Sequence, residues 1–324
     1  MSESSLHIPV MLDEVIAALT PSPGKVFLDA TFGNGGYTKA LLDTANCQVA
    51  AIDRDPDAIL RGQPLLAAYC GRLQLLEGPF SEMARLTTAA GIKKLDGIVF
   101  DLGVCSTQLD EAERGFSFRQ DGPLDMRMSK QGLDASDIVN ELDEAALADI
   151  IWRFGEERAS RRIARAITRA RLDARIERTS QLADIVHSVM PRPKPGQADS
   201  ATRTFQALRI YINGELEELE KALAAAEDLL APDGVLAIVS FHSLEDRIVK
   251  NFLNAKSGNL PAPSRHRPDI RAEQPAIYAL TPRKPLLPSD AEIAVNARAR
   301  SAKLRVARRL ADVAGTTNPL EESA

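Results

Sequence analysis

Val26-Phe27-Leu28-Asp29-Ala30-Thr31-Phe32-Gly33-Asn34-Gly35-Gly36-Tyr37-Thr38 is the stretch that decides the fold. A short apolar run stops at a carboxylate, crosses Gly33, Gly35 and Gly36, and continues into a helix-like segment reaching Ala45. That pattern reads as a buried strand turning sharply into a helix. Working outward, the strand pattern recurs at Val49-Ala50-Ala51-Ile52, Leu73-Gln74-Leu75-Leu76 and Ile98-Val99-Phe100, with first residues 23, 24 and 25 positions apart. Helix-like stretches fill the gaps, from Pro56 to Tyr69 and from Ser81 to Ala90. One strand, one helix and two short loops need about this much chain, and right-handed crossovers place helices on both faces of a parallel sheet. The fold class expected is doubly wound, Rossmann-like α/β.

The rhythm stops after Phe100. The next buried-strand pattern, Val235-Leu236-Ala237-Ile238-Val239, begins 137 positions beyond Ile98, far more than one βα unit requires. Most of the gap is helix-like: Ala135 to Phe154, Glu156 to Arg175 and Ser180 to Val189, interrupted by the loop Pro191-Arg192-Pro193-Lys194-Pro195-Gly196. The expected organisation is a discontinuous core, residues 1–105 and 214–324, with a helical domain for substrate recognition inserted at 106–213. Glu215 to Leu230 leads back into the core. Ile277-Tyr278-Ala279-Leu280 and Lys303-Leu304-Arg305-Val306-Ala307 are expected as late strands that could form an antiparallel edge.

The 324 residues are 44% apolar and 26% charged, the profile of a globular protein. No signal-peptide pattern opens the chain, and no apolar run approaches the ~18 residues of a membrane helix. Cys47, Cys70 and Cys105 form no CxxC pair, which disfavours a disulfide framework and a zinc site and fits a reducing cytoplasm. The net charge of -5 conceals two basic segments. Ile151 to Tyr211 holds 13 Lys/Arg against 6 Asp/Glu, and Arg247 to Arg309 holds 14 against 4. Charge runs are more often solvated faces than binding sites, so charge alone makes RNA only a weak expectation.

Ligands of such sheets lie beyond the carboxyl ends of the strands. Asp53 ends the second strand, 18 residues after Gly35, where a carboxylate accepts both hydroxyls of a ribose. Phe80, after Gly78-Pro79, offers a ring to a nucleobase, and Asp101 opens the fourth strand into a loop. A triphosphate is disfavoured by the absence of GxxxxGK[ST]. NAD is the competitor, but its third glycine is replaced by Thr38. Asp29 would repel a pyrophosphate and suits the cationic S-adenosylmethionine. An NAD-dependent oxidoreductase, a non-catalytic RNA-binding factor and a methyltransferase with another acceptor remain open.

Longer motifs then carry a resemblance. They are His7-Ile8-Pro9-Val10-Met11-Leu12-Asp13-Glu14, Asp29 to Thr38, Asp101-Leu102-Gly103 through Leu109-Asp110, and Arg114-Gly115-Phe116-Ser117-Phe118 with Asp121 to Met128. Beyond these come Gly155-Glu156-Glu157-Arg158, Thr202 to Ile210 and Ser240-Phe241-His242-Ser243-Leu244-Glu245-Asp246-Arg247. In this order they resemble the bacterial small-subunit ribosomal RNA (cytosine-N4) methyltransferases over nearly the whole chain. The resemblance implies a methyltransferase core with a helical insert, S-adenosylmethionine as cofactor, and 16S ribosomal RNA within the small ribosomal subunit as partner. The acceptor it implies is N4 of a cytosine in the decoding region. It also implies that Gly35, Gly36, Tyr37, Asp53, Phe80, Asp101 and Gln108 bind the cofactor. Tyr37-Thr38 departs from the family's frequent His-Ser, Cys105 from serine and Thr107 from proline.

For the chemistry, Asp101 and, more loosely, Asp125 are candidates to accept the N4 proton, and no catalytic group is assigned. His242 follows a buried strand, and Ser243 with Asp246 fits a capping box. Trp152 and Phe154 are expected in the core of the insert. Arg158, Arg161, Arg162 and Arg165, with the basic C-terminal region, are the expected phosphate contacts.

Overall fold

The computed structural model describes residues 9–191, 197–258 and 275–311. His7 and Ile8, most of the proline-rich loop and the basic residues of 259–274 lie outside the described residues.

The first half follows the strand rhythm: α1 (Leu12–Leu19), β1 (Val26–Asp29), α2 (Gly36–Thr44) and β2 (Gln48–Asp53). Then come α3 (Pro56–Arg61), α4 (Gln63–Ala68), β3 (Leu73–Glu77), a 3-10 turn at Phe80–Glu82, α5 (Met83–Ala89) and β4 (Leu95–Asp101). The predicted helix from Pro56 to Tyr69 is two helices. Gly62 separates them, and Pro64, which lacks an N–H, stands in the first turn of α4.

Between β4 and β5 (Leu230–Ser240) the chain is helical: α6 (Ser106–Asp110), a 3-10 turn at Ala112–Arg114, α7 (Ala135–Glu141), α8 (Glu144–Gly155), α9 (Ser160–Ala170), α10 (Thr179–Val189), α11 (Thr202–Asn213) and α12 (Glu215–Leu229). The predicted continuous helix from Ala135 to Phe154 breaks because Asp143 caps a new one, its carboxylate accepting the Ala146 N–H at 2.7 Å. The predicted helix from Glu156 shortens to α9 because Glu156, at φ 48°, ends α8 in the left-handed region. The helix over Thr202–Asn213 went unread in the sequence; it stops at Gly214, φ 62°. After β5 come α13 (Ser243–Lys256), β6 (Tyr278–Leu280), α14 (Asp290–Val295), a 3-10 turn at Ala297–Ser301 and β7 (Lys303–Arg309).

The strands form one sheet in the order β3-β2-β1-β4-β5-β7-β6. The first five are parallel, while β7 runs antiparallel to both β5 and β6. This is the doubly wound methyltransferase-like class, with the reversed edge expected from the late strands. Alternate strand residues feed opposite layers. Leu28, Ile52, Ile98, Phe100 and Ile238 pack with α5, α12 and α13, whereas Phe27, Val49, Val99 and Val239 pack with α1 and α2. Burying each such side chain contributes about 1.5–3 kcal/mol.

The insert has an apolar core of its own, including Phe116, Met126, Leu147, Ile151, Ile163, Ile167, Leu182, Phe205 and Leu208. Phe154 packs against it, but Trp152 is 54% exposed, contrary to expectation. The buried face of α8 runs through Leu147, Ala148, Ile151 and Gly155, and Trp152 stands at its rim. On α9, Ile163, Ala164 and Ile167 point inward, leaving Arg161, Arg162, Arg165 and Arg169 exposed.

Candidate active site

A cleft of about 350 Å³ opens at the carboxyl ends of β1, β2 and β4, within the size range of small-molecule sites. Six of the seven expected cofactor residues line it: Gly36, Tyr37, Asp53, Phe80, Asp101 and Gln108. Gly35 stands behind the loop instead. Its φ is 75°, and a Cβ there would lie 2.8 Å from the Phe32 ring, so it shapes the turn rather than the cleft wall. Gly36 is needed for a close approach, because a Cβ would lie 2.1 Å from Pro9 Cγ.

The side chains differ in how free they are. The Tyr37 hydroxyl donates to the Val10 carbonyl and ties the N-terminal segment across the loop. Gln108 is engaged at both ends. Its Nε2 donates to Asp55 Oδ2 at 2.8 Å, and its Oε1 accepts the Cys105 N–H at 3.0 Å. Asp53 accepts the Gly33 N–H (2.7 Å) and the Asp55 N–H (2.8 Å), one on each oxygen, which leaves a lone pair on each for a ribose hydroxyl. The Phe80 ring meets Phe100 edge to face at 5.7 Å.

Asp29 does not face the cleft. Its fully buried carboxylate accepts Thr38 Oγ1–H at 2.7 Å and the Thr31 N–H at 3.2 Å, stapling the glycine loop from below. Among the described residues, Asp53, Asp55 and Asp101 are the carboxylates that line the cleft, and Asp55 Oδ2 is already held by Gln108 and Arg114, which leaves Asp53 and Asp101 to meet a cation. Burial pushes the Asp29 and Asp53 carboxyls up to about 6. Asp101 rises to about 8, through burial and then the neighbouring Asp29 and Glu245 carboxylates. Its N–H donates to Thr31 Oγ1 at 2.6 Å, while its buried Oδ1 has no hydrogen-bond partner among the described residues.

Other wall residues were not singled out in the sequence. Arg61, Arg209, Phe241 and Arg298 all line the cleft, brought there from four distant segments. Two buried guanidinium nitrogens of Arg61, Nε and Nη2, have no hydrogen-bond partner among the described residues. Arg209, on α11, grips Glu215 with two bonds of 2.7 and 2.8 Å. Asp125 does not line the cleft; it clasps Arg127 at 2.7 Å.

His242 is the N-cap of α13 in place of the expected Ser243. The reciprocal pair is His242 with Glu245, whose Oε2 accepts the Phe241 and His242 N–H groups at 2.8 and 3.2 Å. Ser243 instead donates to Glu156, and Asp246 pairs with Lys303 and Arg305. Burial pushes the Glu245 carboxyl up, and the His242 hydrogen bond together with Arg209 draws it below its ordinary value. Glu215, His242 and Glu245 bring ligand-type atoms within 4.8 Å of one another. Arg209 holds both Glu215 oxygens and the helix cap takes His242 Nδ1 and Glu245 Oε2, while His242 Nε2 lies 2.9 Å from Glu245 Oε1.

Much of the C-terminal basic charge is also internally matched. Lys303 and Arg305 meet Asp246, and Arg309 donates to the Leu230 carbonyl. The expectation that this region faces phosphate therefore narrows, among the described residues, to its other cations.

The sequence is 58% identical over 305 residues to the ribosomal RNA small subunit methyltransferase H of Rhodospirillum centenum, covering 94% of this chain and 92% of that protein. It is 52% identical over 322 residues to the protein of the same name from Rhizorhabdus wittichii, covering 99% of each. The model of the MraW methylase family matches residues 4–310. With that match spanning both halves of the core and the whole insert, the chain belongs to the MraW methylase family.

Proposed function

We propose that this protein transfers a methyl group from S-adenosylmethionine to N4 of a cytosine in the decoding region of 16S ribosomal RNA, acting in the cytoplasm on the small subunit. One observation supports this most directly: Asp53, Phe80 and Asp101 line one cleft at the carboxyl ends of β2, β3 and β4, next to a helical insert with an arginine face. The small-subunit substrate is carried over from the names of relatives more than half identical to this chain.

The cleft suits an adenosyl sulfonium. Asp53 has lone pairs for the ribose hydroxyls, Phe80 has a ring for adenine, and Asp101 has an unpartnered oxygen for a donor. Gly36, Tyr37 and Gln108 complete the wall. Gly35 sets the loop, so its part in cofactor binding is indirect. When bound, the cofactor supplies a methyl already activated by positive sulfur.

The chain's own residues have to position the acceptor. Cytosine N4 is a weak nucleophile because its lone pair is delocalised, so holding it in line accounts for much of the rate, up to ~7–11 kcal/mol. Burial and the neighbouring carboxylates push Asp101 up to about 8, which favours its neutral form, and a cation beside it favours the ionised form. The resulting carboxylate accepts an N–H from whichever amino group lies against it.

The base must leave its stack to reach the cleft. Arg158, Arg161, Arg162 and Arg165 are exposed on the insert, where they suit phosphate contacts by an enzyme that reads RNA shape. The deciding experiment incubates the protein with labelled donor and small subunits lacking the modification, then maps the label. Label on one decoding-region cytosine is expected. Label elsewhere would reassign the acceptor, and binding of NAD but not of S-adenosylhomocysteine would overturn the cofactor.

A further inference from the structure

The turn Asp53-Arg54-Asp55 touches more than the cleft. Asp53 Oδ1 accepts the Asp55 N–H at 2.8 Å, which ties the Asp53 carboxylate to the backbone that carries Asp55. Asp55 is buried, and its Oδ2 accepts Arg114 Nη1 at 2.7 Å from the early part of the insert. The other guanidinium nitrogen, Nη2, donates to the carbonyls of Arg127 and Met128, both at 3.1 Å. The Met128 N–H donates to Asn213 Oδ1 at 2.9 Å, and Asn213 Nδ2 donates to the Met126 carbonyl at 2.8 Å. The Asn213 carbonyl, at the end of α11, accepts Arg54 Nη1 at 2.7 Å, which returns the path to the turn.

These bonds close a ring through the turn, Arg114, residues 126–128, Asn213 and Arg54. It clasps the insert at both of its connections to the core. Arg114 is the only one of its members that reaches a carboxylate and two carbonyls at once. A planar guanidinium does this, and a lysine ammonium on a flexible stem does not reproduce the geometry.

We propose that this ring couples occupancy of the cofactor cleft to the placement of the helical insert, with Arg114 as the positioning residue. The inference rests on the reading that Asp53 holds the cofactor and that the insert meets RNA. A ligand that fixes Asp53 fixes Asp55, and through Arg114 and Arg54 it orders both connections of the insert. The second ligand then meets a protein already ordered, which yields positive cooperativity without a large change of shape. Linkage requires the effect to be equal in both directions.

The test measures the affinity of an unmethylated small-subunit rRNA transcript with and without saturating S-adenosylhomocysteine, and that of S-adenosylhomocysteine with and without the RNA. Each ligand should tighten the other by about tenfold in the native protein. Arg114→Lys should reduce the factor to about threefold, and Arg114→Met should bring it close to one while each ligand still binds alone. A purely structural role would weaken both affinities and leave their ratio intact. Should Arg114→Met fail to fold, Arg54→Met cuts the ring at its other side and should lower the factor too. Undiminished coupling in a folded ring variant, or two ligands that bind the native protein independently, overturns the inference alone. Failure of the native protein to bind S-adenosylhomocysteine removes the cofactor reading beneath it.

Discussion

The cleft and the insert use charge in opposite ways. Around the cleft, Asp29, Asp53 and Asp101 are carboxylates in a nearly dry setting, each driven toward its neutral form. On the insert, α9 turns a row of arginines outward into water while its aliphatic side seals the core. Buried charge acts at hydrogen-bond range and depends on geometry; exposed charge acts over about a Debye length and fades with salt. A protein that binds a small cation and a large polyanion benefits from keeping the two regimes apart.

The largest expected break in this contrast is Asp53→Ala. Losing charged hydrogen bonds to a ribose should cost about 3 kcal/mol, roughly a hundredfold in S-adenosylhomocysteine affinity by calorimetry. RNA affinity measured without cofactor should change little. The mirror experiment, Arg161→Glu with Arg162→Glu, should weaken RNA binding by about tenfold and flatten its salt dependence by about two ion equivalents. Cofactor affinity should stay as it was; equal losses of both would dissolve the division of labour.

Gly35→Ala tests the scaffold under the cleft. The left-handed backbone and the Phe32 ring at 2.8 Å should cost about 1–2 kcal/mol, read as a melting temperature lower by a few degrees.

The last prediction concerns pH. Asp29, Asp53 and Asp101 have folded-state values of about 6, 6 and 8, above the ordinary 3.8, so the native state holds more protons than the unfolded chain between those limits. Their contribution to stability is complete below about pH 4 and is lost as pH rises through about 6 and then about 8. The ligand-free protein should melt lower at pH 8 than at pH 5, and Asp101→Asn should flatten the upper part of that slope. Binding of the cationic donor near neutral pH should release protons, visible as a dependence of binding heat on the buffer.

The order of the α/β units was legible because the central strands are buried on both faces and must be written as continuous apolar runs. The break after Phe100 was legible for the same reason. Helix limits were not. Asp143, Gly62 and Glu156 end or start helices through single local interactions that periodicity does not register. The cleft was legible where a residue follows directly from a strand end, as with Asp53 and Asp101. It was opaque where distant segments converge, as with Arg61, Arg209 and Arg298. Asp29 shows a subtler limit: the position was right, but Thr38, the residue that signalled a departure from the NAD pattern, holds its carboxylate away from the cleft.

One side of the cleft is built from Pro9 and Val10 together with Arg298 and Ser301, and the Met11 N–H donates to Glu292 at 2.6 Å. Pro9, Val10 and Met11 thus wait for residues made some 280 positions later. A nascent chain stalled before Glu292 has already synthesised every strand of the parallel sheet, yet its pocket lacks a wall. A chain cut short there would lack this wall and β7 as well, and would be expected to hold the cofactor poorly.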